Sequence, residues 1–233
     1  MRGMVTACVM MLGVTAGGVN ADTVNVRIDP AMQATVGKQV SGRLLLFYIT
    51  QKGREFDRRL PMDAPNFEHP QPMAGADVRE AAVDSVMVID GKCKAFPSSI
   101  DDLDGEVRVQ AFLDMDQKER SFEEGVGNLF SDVLTVTVKK GVEDQYELVL
   151  SRAIPEMKRR TDNPHVKWVS MKSELLSAFC GHDVSMKAGV ALPKHYGEKD
   201  WPRKQWPAMY VIPGFGGREE SAWTYGEWAD SKG

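Results

Sequence analysis

A chain of 233 residues is long enough for one large domain or two small ones. Its 42% apolar and 27% charged residues are the balance of an ordinary soluble globular protein. The formal net charge of −4 leaves no bulk basic surface, which excludes a protein that holds nucleic acid by its phosphates.

The amino-terminus has the make-up of an export signal. Met1-Arg2 supplies a positive start, and Gly3 to Gly18 is small and apolar without a charge. Val19-Asn20-Ala21 then fits the small-x-small cleavage pattern, so residues 1–21 read as a signal peptide and Asp22 as the first mature residue. The apolar stretch is too short and too rich in Gly, Ala and Thr for a membrane span. The expected location is secreted or periplasmic, with no transmembrane span once the signal is removed. Removing it takes away Arg2 and no acid, which leaves 28 of the 29 basic residues against 33 acidic ones. Of the three cysteines, Cys93 and Cys180 remain. In an exported protein they could pair, but the sequence does not bring them together, and neither lies in a Cys-x-x-Cys or Cys/His ligand spacing, so they read as two separate, mostly structural thiols, and no metal or other cofactor is expected.

From Asp22 to about Leu150 the pattern is that of strands. Val24, Val26 and Ile28 alternate with polar residues, as on a half-buried strand. Gly42 to Thr50 is a continuous apolar strand. Ser85 to Ile89 ends at Asp90-Gly91, a hairpin-type turn. Val107, Val109, Ala111 and Leu113 alternate again, Asp132 to Val138 is rich in β-branched residues, and Tyr146 to Leu150 follows a turn at Lys140-Gly141. Short strands joined by polar turns predict an antiparallel, immunoglobulin-like β-sandwich over residues 22–150, without the Cys…Trp…Cys signature of antibody domains.

Two loops in this region carry groups that ligate or catalyse. Pro61 to Met73 contains Pro61, Pro65, Pro70 and Pro72, which resist strand pairing, and its ligating groups are Glu68 and His69. It reads as a packed surface loop. Asp114-Met-Asp116 is followed by Glu119, Glu123, Glu124 and Asn128, oxygens of the kind that hold calcium, but without the EF-hand spacing. It reads as a solvated acidic loop.

Residues 151–164 look like a linker, with Arg152, Lys158, Arg159 and Arg160 beside Pro155 and Pro164. A second pattern fills residues 165–233. His165 to Met171 reads as a strand, Leu175 to Phe179 as a short apolar element, and Gly181-His182-Asp183 as a turn. Val184 to Leu192 alternates, with Val184, Met186, Ala188, Val190 and Leu192 on one side. Ala208 to Ile212, between Pro207 and Pro213, reads as a short strand buried on both faces. Gly214, Gly216 and Gly217 then give a tight turn before a helix. Such a turn presents backbone N–H groups where α/β enzymes bind substrate.

The order Ser173-x-Leu-Leu-x-x-Phe-x-Gly181, Val184-x-Met-x-Ala-x-Val-x-Leu-Pro193, Lys-x-Tyr196 and Trp206-Pro-Ala-Met-Tyr-Val-Ile-Pro-Gly-Phe-Gly-Gly217 resembles the start of the putative-esterase branch of the α/β-hydrolases, the esterase D-like and enterochelin-esterase-like enzymes. The resemblance covers roughly residues 165–220. It implies an exported enzyme in which a β-sandwich accessory domain precedes the first strands of a hydrolase domain. Pro213-Gly214 stands where the family has His-Gly. The resemblance assigns Phe215 as the backbone donor of an oxyanion hole, with Gly216 beside it and Gly214 and Gly217 completing the substrate-side loop. The family's Gly-x-Ser-x-Gly nucleophile elbow does not occur in these residues. Ser221, in Glu-Glu-Ser-Ala-Trp, does not match it, and His69, His165, His182 and His195 all precede the turn that the family's catalytic His follows. On this resemblance the chain is the amino-terminal part of a longer enzyme and lacks the nucleophile.

Three functions compete. The first is a serine-esterase-type hydrolase acting on an ester-containing small molecule or a carbohydrate ester. The second is a secreted binding module without catalysis, served by aromatic side chains such as Phe47, Tyr48, Phe56 and Phe67. The third is a metal-dependent enzyme using Asp114, Asp116 and Glu119.

Overall fold

The computed structural model describes residues 22–53, 56–64, 69–116, 122, 125–156, 161–162, 164–193, 196, 205, 207–214 and 217–231. The expected signal peptide, residues 1–21, lies outside them. The chain divides into two compact units, residues 1–157 and 158–233.

The amino-terminal unit is β-rich. Its strands among the described residues are β1 (Thr23–Ile28), β2 (Gln39–Ile49), β3 (Met73–Ala82), β4 (Met87–Asp90), β5 (Lys94–Phe96), β6 (Gly105–Asp114), β7 (Leu129–Ser131), β8 (Leu134–Val138) and β9 (Gln145–Ala153). A one-turn helix, α1 (Gln33–Val36), lies between β1 and β2. The strands form one sheet in the order β4-β1-β9-β7-β6-β2-β3-β5, with β8 also on β6. β3 and β4 stand six places apart in that order, yet residues 83–86 alone join them. That link spans at most roughly 18 Å, whereas six strand spacings laid flat need about 29 Å. The sheet therefore curls, and its inner face becomes a core.

Alternation decides what fills this core. Val24, Val26 and Ile28 of β1 are buried, while Arg27 stands outward and pairs with Glu147 at 2.7 Å. β2 is buried on both faces, as its unbroken apolar run requires. Leu44, Leu46 and Tyr48 join the main core with Val109, Leu113, Leu129 and Leu150. Phe47 points the other way, to Met62 and Phe112. Phe122 stacks on Phe47 at 5.5 Å and meets Phe112 edge-on at 4.9 Å. The Pro-rich loop contributes to this packing. Its first turn, Pro61–Asp63, is a 3₁₀ helix whose Pro61 and Met62 are buried. Buried Gln71 accepts from Thr50 N–H at 3.2 Å. Glu68 and Phe67 lie outside the described residues.

The outer edge of β6 is shared between two strands. Gly105 to Val109 pairs with β8, and Phe112-Leu113 pairs with β7. Gln110 and Ala111, between the two ladders, meet only Ser131, the last residue of β7, and the bonds there run through side chains. Ala111 N–H donates to Ser131 Oγ at 2.9 Å, and Gln110 Nε2 donates to the Ser131 carbonyl at 2.9 Å. Gln110 Oε1 accepts from Met62 N–H at 3.4 Å. Gln110 and Ser131 are 2% and 1% exposed, so these bonds replace water that cannot reach them.

Three expectations are corrected. The sheet is mixed, because β1 runs parallel to β9 from Thr23↔Gln145 to Ile28↔Leu150. A parallel pair needs a long connection, and here the rest of the unit supplies it. β3 lies where no strand is expected. Its sequence, Met73-Ala-Gly-Ala-Asp-Val-Arg-Glu-Ala-Ala82, favours helix, but pairing with β2 on one side and β5 on the other prevails. β9 runs to Ala153, into the segment expected as a linker.

The carboxy-terminal unit is built on a hairpin. β10 (Val166–Lys172) and β11 (Ser185–Ala191) pair antiparallel from Val166↔Ala191 to Lys172↔Ser185. Between them lies α2 (Glu174–Cys180), whose Leu176 N–H is capped by Ser173 Oγ at 3.3 Å. Gly181 ends it in a left-handed conformation, φ 71°. Val184 N–H donates to Ser177 Oγ at 2.9 Å and ties the helix back to β11. α3 (Ser221–Ser231) packs on the hairpin at two glycines. A Cβ at Gly189 would lie 2.4 Å from Ala222 Cβ, and one at Gly226 would lie 2.6 Å from Val166 Cγ2. The strand expected at Ala208 to Ile212 is absent. Residues 207–214 are neither helix nor strand, and Met209, Tyr210 and Ile212 are 80%, 92% and 93% exposed. A strand buried on both faces needs a neighbour on each edge, and the only described ladder in this unit is β10–β11.

Replacing Gln110 with Ala leaves the buried Ser131 carbonyl and Met62 N–H without partners. Urea unfolding of Gln110→Ala is expected to show a loss of about 1–3 kcal/mol.

Candidate functional site

The glycine turn is the candidate for chemistry. Gly217 N–H donates to the Gly214 carbonyl at 2.9 Å, which closes a four-residue turn. Pro213 holds it tight, since a Cβ at Gly217 would meet Pro213 Cβ at 2.4 Å. Gly214 is exposed, with nothing within 4 Å of where a Cβ would stand. Phe215 and Gly216, the expected oxyanion-hole donors, lie outside the described residues. α3 begins four residues after Gly217, and the turn is thus attached to the helix fixed on the hairpin by Gly189 and Gly226.

The described polar side chains of this unit that could serve chemistry have structural partners. Ser221 Oγ donates to the Arg218 carbonyl at 2.8 Å, at the start of α3. Trp223 Nε1 donates to Glu227 Oε1 at 2.8 Å, one turn on. His182 Nδ1 lies 3.2 Å from the neighbouring Asp183 carbonyl. His195 lies outside the described residues. The described N–H of the turn, that of Gly217, is taken by the Gly214 carbonyl, and these described side chains do not assemble a nucleophile with a base.

The acidic loop has a different centre. Asn128 is fully buried and uses both ends of its amide. Its Oδ1 accepts from Met115 N–H at 2.8 Å and from Asp116 N–H at 2.9 Å. Its Nδ2 donates to Asp114 Oδ1 and to the Phe122 carbonyl, both at 2.9 Å. Gly125 makes this approach possible, because a Cβ there would lie 2.3 Å from Asn128 Nδ2. The oxygen that could ligate calcium is therefore engaged by backbone N–H groups. Glu119, Glu123 and Glu124 lie outside the described residues. Among the described residues no three His, Cys, Asp or Glu side chains gather as metal ligands. Burial raises the Asp114 carboxyl above its ordinary value, opposed by the Asn128 bond and reinforced by the Asp116 charge.

An open depression of about 660 Å³ adjoins this loop, lined by Thr35, Val36, Ser41, Gly42, Met115 and Val126 among others. The aromatics considered for a binding surface are not there. Phe47, Tyr48 and Phe56 are buried in the core, and Phe67 lies outside the described residues. Cys93 and Cys180 are both free thiols. No helix among the described residues is long and apolar enough to cross a membrane. Comparison with protein-family models, with curated proteins and with solved structures returned no match.

Two outcomes check the Asn128 staple. Asn128→Ala removes four hydrogen bonds at a buried site and is expected to destabilise the first unit by about 2–4 kcal/mol in denaturant titration. The Asp114 carboxyl titrates above its unfolded value, so its contribution is complete below the unfolded value and is lost as pH rises through the folded one. Asp114→Asn is therefore expected to gain on the parent in melting temperature between pH 4 and pH 7, with no gain below pH 3.

Proposed function

We propose that this chain contributes the oxyanion-hole loop of an exported serine-type carboxylic ester hydrolase. In this reading the first unit is an immunoglobulin-like β-sandwich accessory domain, and the second is the opening of an α/β-hydrolase domain. The observation that carries it is the Gly214–Gly217 turn, closed at 2.9 Å, open to solvent at Gly214 and attached to α3. Acyl transfer needs N–H donors fixed where the carbonyl oxygen becomes an alkoxide, in the geometry of the intermediate and not of the ground state. Phe215 N–H serves as that donor, with Gly216 beside it, and Gly214 and Gly217 provide the bend. Pro213 in place of the family's His leaves a backbone donor unaffected.

The uncovered apolar surface of the second unit supports the same reading. Met209, Tyr210 and Ile212 are exposed, and so are Val169, Met171, Met186 and Val190 on one face of the hairpin. Further strands of a hydrolase sheet, carrying the serine and the histidine, would cover such a surface. The substrate class is an ester-containing small molecule or a carbohydrate ester, met outside the cytoplasm. A second reading, a secreted binding module without catalysis, is favoured by the depression beside the Asn128 loop.

The test is made on the whole gene product isolated from cells that export it. It is treated with a serine-directed fluorophosphonate, and the adduct is mapped by mass spectrometry. The expected result is turnover of p-nitrophenyl acetate with the labelled serine outside residues 1–233. Gly217→Val should then lower kcat by about 10²–10³-fold, the scale of a lost oxyanion donor. A labelled serine within residues 1–233 would overturn the assignment, as would a protein that neither labels nor turns over. Saturable carbohydrate binding in the absence of hydrolysis would select the second reading.

A further inference from the structure

Three carboxylates meet where β1 begins. Asp22, one residue before the strand, is 6% exposed. Its backbone N–H donates to Asp101 Oδ1 at 2.9 Å, and its own Oδ1 accepts from Asp144 N–H at 3.1 Å. Asp144 Oδ2 accepts in turn from Lys139 N–H at 3.0 Å. Asp101 is held in place by its own turn. Ser99 Oγ accepts from Asp101 N–H at 3.3 Å and donates to the Gly91 carbonyl at 3.3 Å. A Cβ at Gly91 would lie 1.8 Å from Asp101 Oδ2, so glycine is what lets this carboxylate sit there.

Among the described residues no cation balances this site. No ion pair among the described residues involves Asp22, Asp101 or Asp144. Lys140 is engaged by Asp102 at 2.7 Å. Among the described residues, the other groups near Asp22 are acids and phenols. Asp90 stands on β4 opposite Thr23, and Tyr48 and Tyr146, bonded to each other at 2.9 Å, lie within its electrostatic reach. Burial raises the Asp22 carboxyl, opposed by the Asp144 N–H and reinforced by the charges of Asp144 and Asp101. A neutral amide N–H is a weak partner for such a cluster, and a cation on the same nitrogen would be a strong one.

The sequence offers a way to put a cation there. Val19-Asn20-Ala21 ends at this very nitrogen. We propose that the Ala21–Asp22 bond is a processing site and that the α-ammonium released on Asp22 bonds to Asp101, fastening the first strand of the β unit. The proposal rests on the export reading. Water adds across the peptide bond, the C–N bond breaks, and the hydroxyl remains on Ala21 as its carboxylate. The nitrogen of Asp22 takes the proton of that carboxyl and is an ammonium at neutral pH, with no other reactant than the host's leader peptidase. An α-amino group ordinarily titrates near about 7.7–8.0, and a carboxylate partner raises that value. The contribution to stability is then complete below the ordinary value and lost as pH rises through the raised one.

The test compares the exported protein with the same chain made in the cytosol and still carrying residues 1–21. Amino-terminal sequencing of the exported protein is expected to begin at Asp22. Another start overturns the processing site and leaves the export reading standing, whereas no cleavage overturns both. Given a start at Asp22, the exported form should melt higher at pH 6.5, with the gap closing by pH 10. Asp101→Asn should remove most of the gap while leaving the unprocessed chain little changed. The pH dependence of amine labelling on the parent protein reads the same bond without any variant. Its midpoint should lie above the ordinary α-amino range, with labelling at pH 7 several-fold slower than in Asp101→Asn. A start at Asp22 with an ordinary midpoint and no melting difference would overturn the ammonium bond and leave the export reading standing.

Discussion

The bonds between Gln110, Ala111 and Ser131 are the constraint on which the first unit depends. A strand edge is a row of N–H and C=O groups that must all be satisfied when water is excluded. β6 gives the larger part of its outer edge to β8 and a shorter part to β7, and at the changeover two residues meet only Ser131, the end of β7. A serine hydroxyl and a glutamine amide stand in for the missing backbone at 2.9 Å. The division lets β7 lead on to β9 and β1 while β8 stays on β6. An apolar side chain at Gln110 would fill the same space, but it would leave a buried carbonyl unbonded. The polar choice is required by the topology although it sits in an otherwise apolar core.

Much of this unit was legible in the sequence, for local reasons. The alternation of β1 and β6 and the unbroken apolar run of β2 record burial on one face or two, and burial is what they show. β3 was not legible, because its alanines and glutamate favour helix and its strand form comes from the two neighbours that pair with it. β5 and β7 are three residues each, too short to show a period. The parallel pairing of the first and last strands leaves no local mark at all. The Ala208 to Ile212 stretch shows the opposite case, a strand-like pattern without the neighbours that would make it one.

The candidate residues divide in the same way. The glycine spacing at 214–217 announced a tight turn, and a tight turn is present, closed by the Gly217 N–H. Asn128 was readable as a possible calcium ligand by its type and its place in an acidic run. Its actual work depends on where Met115, Asp116 and Phe122 return in space, which no spacing rule contains. The acidic junction at Asp22 was equally hidden. It is assembled from residues 22, 101 and 144, and only the fold brings them together.

The hairpin of the second unit shows how backbone geometry, and not hydrophobicity, selects the face that is packed. Trp168 and Gly189 stand opposite each other on one face, and Val169, Met171, Met186 and Val190 occupy the other. By apolar content alone the second face is the better candidate for a core. α3 lies on the first, because Gly189 and Gly226 let the helix come within contact distance of the strands where any larger residue would hold it off. Close approach over a small contact thus fixes the helix, and with it the glycine turn attached to it. The bulkier stripe stays exposed on the other face, so apolar content alone does not say which side of this hairpin is packed.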